Sequence, residues 1–65
     1  GEAFQEFRDR IHAKLAGPDP DLAADIRAWA VMGATQCTVL CTMDLPADTV
    51  RAELLAALLP LYAPD

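Results

Sequence analysis

Apolar residues recur at helical spacing in three segments of the chain. In the first segment they follow at steps of three and four, and they are Phe4, Phe7, Ile11 and Leu15. This spacing places side chains on one face of an α-helix. Gly17 and Pro18 come next, and both residue types end helices. The pattern therefore predicts a first helix over residues 2–16.

The second segment begins with a strong helix-start pattern. Asp19 can cap the helix, Pro20 suits its first position, and Asp21 complements the positive end of the helix dipole. From this start the helical pattern runs unbroken, so we predict a second helix over residues 20–43.

A third helix is predicted over residues 47–60, after the break at residues 44–46. Its apolar stripe is formed by Val50, Leu54, Leu58 and Leu61. Pro60 lacks an amide donor, so the helix should kink or stop near it. Because the connection before it is short, the last two helices should form an antiparallel hairpin.

Composition supports an all-α fold. Alanine and leucine dominate over valine and isoleucine, which favours helix over sheet. A chain of 65 residues makes at most one domain, with a thin core. We therefore expect residues 1–65 to be a single all-α domain fragment.

The charge pattern argues against direct binding to nucleic acid or membrane. The formal net charge is -5, and the only basic grouping is Arg8, Arg10 and Lys14. The longest uncharged run, residues 28–43, is shorter than the roughly 20 residues that a membrane span needs. Two cysteines are too few for a disulfide scaffold, so we expect a reduced, cytoplasmic protein.

The residues available for catalysis are few. The chain has one histidine and lacks serine and asparagine, so we expect neither an enzyme nor a cofactor. His12, among charged neighbours, is interpreted as a solvated surface residue. Cys37 and Cys41 stand four apart, a spacing that can supply two metal ligands, but a zinc site would require two more. A packing role is favoured for them; redox sensing, or thiols that meet across a dimer, stay open.

The second helix is apolar on almost every side between residues 28 and 43. Such a helix must be covered all round, and two neighbouring helices can cover only part of it. Small side chains follow one of its sides, at Ala30, Gly33, Ala34, Cys37 and Cys41. They would permit close approach of another helix. A second stripe is either core or the wall of a ligand cavity, and it comprises Trp29, Met32, Gln36, Val39 and Met43.

Several of these segments resemble the C-terminal region of a tetracycline-repressor-like (TetR-like) transcriptional regulator. They are Asp-Pro-Asp-Leu-Ala-Ala at 19–24, the long alanine-rich helix with Trp29 and Gly33-Ala34, Asp-Leu-Pro-Ala at 44–47, and Val-Arg-Ala-Glu-Leu-Leu at 50–55. The resemblance covers residues 18–62.

The resemblance implies a homodimer in which the last two helices form half of a four-helix bundle between subunits. The implied dimer interface comprises Ala30, Gly33, Ala34, Cys37, Cys41, Val50, Leu54 and Leu58. It also implies a pocket for a small apolar effector, bordered by Phe7, Ile11, Trp29, Met32 and Gln36. DNA would be read only by a domain that these residues do not include.

We therefore expect the dimerisation and effector-sensing part of a repressor. The alternative is a free-standing helical module that pairs with other helices and senses no ligand. A weaker third reading is a small redox protein that uses Cys37 and Cys41.

Overall fold

The computed structural model describes residues 1–62, which form three α-helices and one 3-10 turn. The helices are α1 (Glu2–Ala16), α2 (Leu22–Cys41) and α3 (Ala47–Leu58), and the 3-10 turn is Leu59–Leu61. No strand occurs among these residues. The prediction of an all-α fold is confirmed.

Internal contacts divide the chain into two regions. The N-terminal region is Gly1–Met32, and the C-terminal region starts at Gly33, with residues 33–62 described. The single domain over 1–65, the antiparallel hairpin and the four-helix bundle stay predictions. Residues 63–65 of the predicted domain lie outside the described part.

Helix α1 has the predicted bounds, and Gly17 explains its end. Gly17 donates its N–H to the Ala13 carbonyl at 3.0 Å and has φ 82° and ψ 177°. The extended ψ suits a residue that precedes proline, and the positive φ is accessible mainly to glycine. Glycine is therefore the residue type that can cap α1 at position 17 and lead into Pro18 without backbone strain.

Helix α2 begins two residues later than predicted, at Leu22. The Asp21 side chain accepts the Ala24 N–H at 2.8 Å, the bond that an N-cap residue makes. Asp19 instead has φ 54° and lies in the preceding turn. The assignment of the cap to Asp19 was wrong, because either aspartate satisfies the sequence preference and only the backbone geometry distinguishes them.

Helix α2 also ends two residues earlier than predicted, at Cys41. The Thr42 hydroxyl donates to the Thr38 carbonyl at 2.6 Å, and the Leu45 N–H bonds to the Thr42 carbonyl at 3.0 Å. Threonine side chains that bond to the backbone compete with regular helix. Residues 42–44 form a turn instead.

Helix α3 follows Pro46, which has extended backbone angles and offers no side-chain cap. Pro60 lies in the 3-10 turn that follows Leu58, so the expected interruption near Pro60 is confirmed. Its missing N–H cannot continue the α-helical ladder to Ala56.

Burial is slight in both regions. Among residues 1–62 only Ala28 and Val31 are buried, and both belong to α2 in the N-terminal region. On α1 the predicted apolar stripe divides: Ile11 and Leu15 are half-buried, whereas Phe4 and Phe7 are exposed. No helix in the described part of the chain has both the length and the apolar character to cross a bilayer.

Candidate association surface

A polar and aromatic cluster joins α1 to α2 in the N-terminal region. The rings of His12 and Trp29 stack with centroids 4.1 Å apart and planes 22° apart. The Arg8 guanidinium carbon lies 5.9 Å from the Trp29 ring centroid, within cation–π range. Arg8 also pairs with Asp9 at 3.2 Å. Two α1 side chains thus contact the Trp29 ring, and Trp29 stays 42% exposed.

His12 also approaches Asp25. Its Nε2 lies 2.7 Å from an Asp25 carboxylate oxygen, yet this buried nitrogen makes no hydrogen bond of acceptable geometry. The short distance and the unfavourable N–H direction describe a close polar contact rather than a hydrogen bond. The pair helps to fix α1 against α2.

The interpretation of His12 as a solvated residue was wrong. Its side chain is only 17% exposed, between Trp29 and Asp25. Both partners come from α2, so the charged neighbours of His12 along α1 gave no sign of them.

The residues predicted to border an effector pocket have different environments. Ile11 and Met32 are half-buried, whereas Phe7 and Trp29 are exposed by 58% and 42%. Gln36 is exposed and belongs to the C-terminal region. Trp29 is thus in contact with α1 side chains and still 42% exposed, and the effector pocket stays a prediction.

The C-terminal region contains an open apolar groove of about 400 Å³. From the α2 side and the following turn it is lined by Thr35, Val39, Thr42, Met43 and Leu45, and from α3 by Ala47, Val50, Arg51 and Leu54. Arg51 is the charged residue of this lining, and its guanidinium lies 3.9 Å from the Asp48 carboxylate.

Two residues predicted for the dimer interface, Val50 and Leu54, line this groove and are half-buried. Leu58, also predicted, is half-buried further along α3. The contact of these residues with a second chain stays a prediction.

The predicted small side chains of α2 are mostly exposed. Gly33, Cys37 and Cys41 are open in the C-terminal region, and Ala34 is half-buried. A Cβ atom added at Gly33 would meet nothing within 4 Å. In the N-terminal region Ala30 is exposed as well. The single chain leaves this side uncovered.

Several apolar residues of the C-terminal region that the sequence analysis assigned to no site are exposed. The largest exposures are 63% at Leu40 and 79% at Met43, with Leu45, Leu55 and Leu59 each above one half. Leu40 stands three residues after Cys37, so helical spacing could have added it to the small-residue side. The sequence analysis did not assign Arg51 to the groove, because a single arginine on α3 has the pattern of an ordinary solvent-exposed residue.

The two thiols interact with each other. A hydrogen bond from Cys37, the proximity of its charge and partial desolvation raise the pKa of the Cys41 thiol above its usual value. Both cysteines are free and exposed.

The described residues form a helical fold with many exposed apolar side chains. Comparison with models of known protein families, with curated proteins and with solved structures finds no match.

Proposed function

We propose that the chain is a helical association module that pairs with a second copy of itself, as the dimerisation region of a TetR-like regulator would. The observation that carries the proposal is the scarcity of buried residues: Ala28 and Val31 alone among residues 1–62. Ordering each residue costs about 1–2 kcal/mol of backbone entropy, which so small a core does not offset. Burial against a second chain supplies the missing apolar contact.

Two surfaces of the C-terminal region support pairing with helices. Gly33 offers close approach, since nothing lies within 4 Å of its Cβ position. The groove offers apolar contact to a helix, with Val39, Met43 and Leu54 in its lining. Exposed apolar surface of this extent is typical of interaction sites rather than of monomers.

The test is a bulky side chain at Gly33. In Gly33→Leu the added side chain fits the isolated chain, but it separates the two copies at their close contact. We expect the variant to sediment as a monomer at concentrations where the unchanged protein sediments as a dimer.

Ala13→Leu is the matched control, because Ala13 is exposed on α1 and belongs to the N-terminal region. It should leave the dimer unchanged. Equal self-association of Gly33→Leu and the unchanged protein would contradict pairing through this side of α2.

Effector sensing is a second candidate function, favoured by Trp29. Trp29 is stacked on His12 and still 42% exposed, so a small apolar molecule could contact its exposed part. In the proposed regulator, such binding would shift the packing of the helices and the spacing of two DNA-binding domains in the cytoplasm. This candidate assigns no catalytic step to the chain.

Fluorescence measures this candidate directly because Trp29 is the one tryptophan in the sequence. A saturable change in emission with small hydrophobic compounds would support sensing. Unchanged Trp29 emission across a varied panel of such compounds would contradict effector sensing.

A further inference from the structure

Helix α3, together with Leu59 directly after it, exposes a row of apolar side chains outside the groove. The residues of this row, called the α3 ridge, are all exposed, and they are Ala52, Leu55, Ala56 and Leu59. Leu55 and Leu59 are 51% and 56% exposed. Their spacing places them on one side of a helix. The α3 ridge is therefore a second apolar surface of the C-terminal region, and none of its residues lines the groove.

The α3 ridge cannot fill the groove of its own chain. The residues by which α3 lines the groove include Val50 and Leu54. At about 100° per residue, Leu55 lies roughly 140° around the helix from Val50, and Leu59 lies on the side opposite to Val50. One chain thus exposes an apolar groove and a separate apolar ridge, and ridges and grooves are the shapes that pack together between helices.

We propose that the α3 ridge of a second copy occupies the groove, and that the ridge of the first copy occupies the groove of the second in the same way. This inference rests on the proposed function, the pairing of two copies, and specifies how the groove is filled. In a two-fold symmetric dimer every contact is reciprocal. One kind of contact therefore covers both grooves and both ridges.

The charges at the groove and at the α3 ridge are complementary. Arg51 is the charged residue of the groove lining. Asp48 lies one turn before Ala52, at the N-terminal end of the α3 ridge, and its side chain is 99% exposed. Within one chain the two groups are 3.9 Å apart and largely exposed, so their own pairing contributes little. With the ridge in the groove, Arg51 of each copy pairs with Asp48 of the other.

The test is sedimentation equilibrium of two charge reversals in the full chain. Arg51→Glu and Asp48→Lys each bring like charges together at both symmetry-related pairs, so each should weaken the dimer at least about tenfold. Asp48→Lys is the sharper of the two, because it makes the net charge of -5 less negative, which by itself favours association. An equimolar mixture of the two variants should dimerise like the unchanged protein, since in a mixed dimer the introduced charges face each other.

Glu53→Lys is the matched control, because Glu53 is exposed and lies about 160° around α3 from Leu55. It should leave the dimer unchanged. Circular dichroism checks the helix content of every variant, and the double variant Asp48→Lys with Arg51→Glu should dimerise again, which separates loss of pairing from loss of fold.

Equal dimerisation of Asp48→Lys and the unchanged protein, or a mixture that stays monomeric, would overturn the ridge-in-groove contact and leave the proposed function intact. An unchanged chain that stays monomeric at every concentration would overturn both.

Discussion

The N-terminal and C-terminal regions are stabilised in different ways. In the N-terminal region α1 and α2 are joined by specific contacts, the His12–Trp29 stack and the approach of Asp25 to His12, next to buried Ala28 and Val31. In residues 33–62 no residue is buried, and an open apolar groove lies between side chains of α2 and α3. The first region therefore holds its two buried residues and its specific contacts between helices, whereas none of the described residues of the second region is buried.

Alanine-to-leucine substitutions should give the largest difference in unfolding free energy between the two regions. Ala28 is fully buried, so Ala28→Leu overpacks its site and should lower the free energy of unfolding by about 1–3 kcal/mol. Ala47 lines the open groove and is exposed, so Ala47→Leu should change it by less than about 0.5 kcal/mol. Urea unfolding at low protein concentration measures the free energy of unfolding of both variants. Equal decreases in the two variants would contradict the difference in packing between the regions.

The two helix-associated glycines should respond in opposite directions to alanine. Gly17 has φ 82° and ψ 177°, so Gly17→Ala introduces backbone strain and should cost about 1–3 kcal/mol. Gly33 lies inside α2 with open space around it, so Gly33→Ala should stabilise the monomer by up to about 1 kcal/mol. Thermal unfolding of dilute protein compares them, and a loss at Gly33 would indicate that its surroundings are already filled within one chain.

Coupling between His12 and Trp29 should be measurable. A double-mutant cycle with His12→Ala and Trp29→Ala isolates their interaction, which for stacked rings is about 0.5–1.5 kcal/mol. Pairing His12→Ala with Phe4→Ala is the control, because Phe4 is 60% exposed. If that control cycle gave the same coupling energy, the stack would not be the contact that joins α1 to α2.

The smallest effect concerns the thiols of the C-terminal region. The pKa of Cys41 is raised in the folded chain, so the neutral thiol is favoured there. The resulting contribution to stability is present below the ordinary cysteine pKa of about 8.5 and is lost as pH rises through the higher folded value. Titration of thiolate absorbance should show that Cys41 ionises at lower pH in Cys37→Ala than in the unchanged protein. An unchanged titration would show that Cys37 does not act on it.

Local sequence rules predicted the helix ends that glycine and proline determine. Gly17 with Pro18 ends α1 where expected, and Pro60 limits α3. The start of α2 was misplaced because Asp19 and Asp21 are equally good caps in sequence, and the positive φ of Asp19 decides between them.

The candidate sites were less predictable because their contacts join different elements. The partners of His12 stand on α2, so no local pattern on α1 could reveal them. The placement of Cys37 and Cys41 on one side of α2 follows directly from helical spacing. The groove lining combines turn residues with α3 residues, and its shape depends on how the chain leaves α2 at Thr42.

The central claim is that a second copy covers the apolar surface that residues 33–62 expose. Sedimentation equilibrium of the unchanged chain over a wide concentration range tests it most directly. We expect the apparent mass to rise from the 7.0 kDa of one chain to twice that value. A mass that stays at 7.0 kDa up to the highest concentration, with helix content intact, would contradict it.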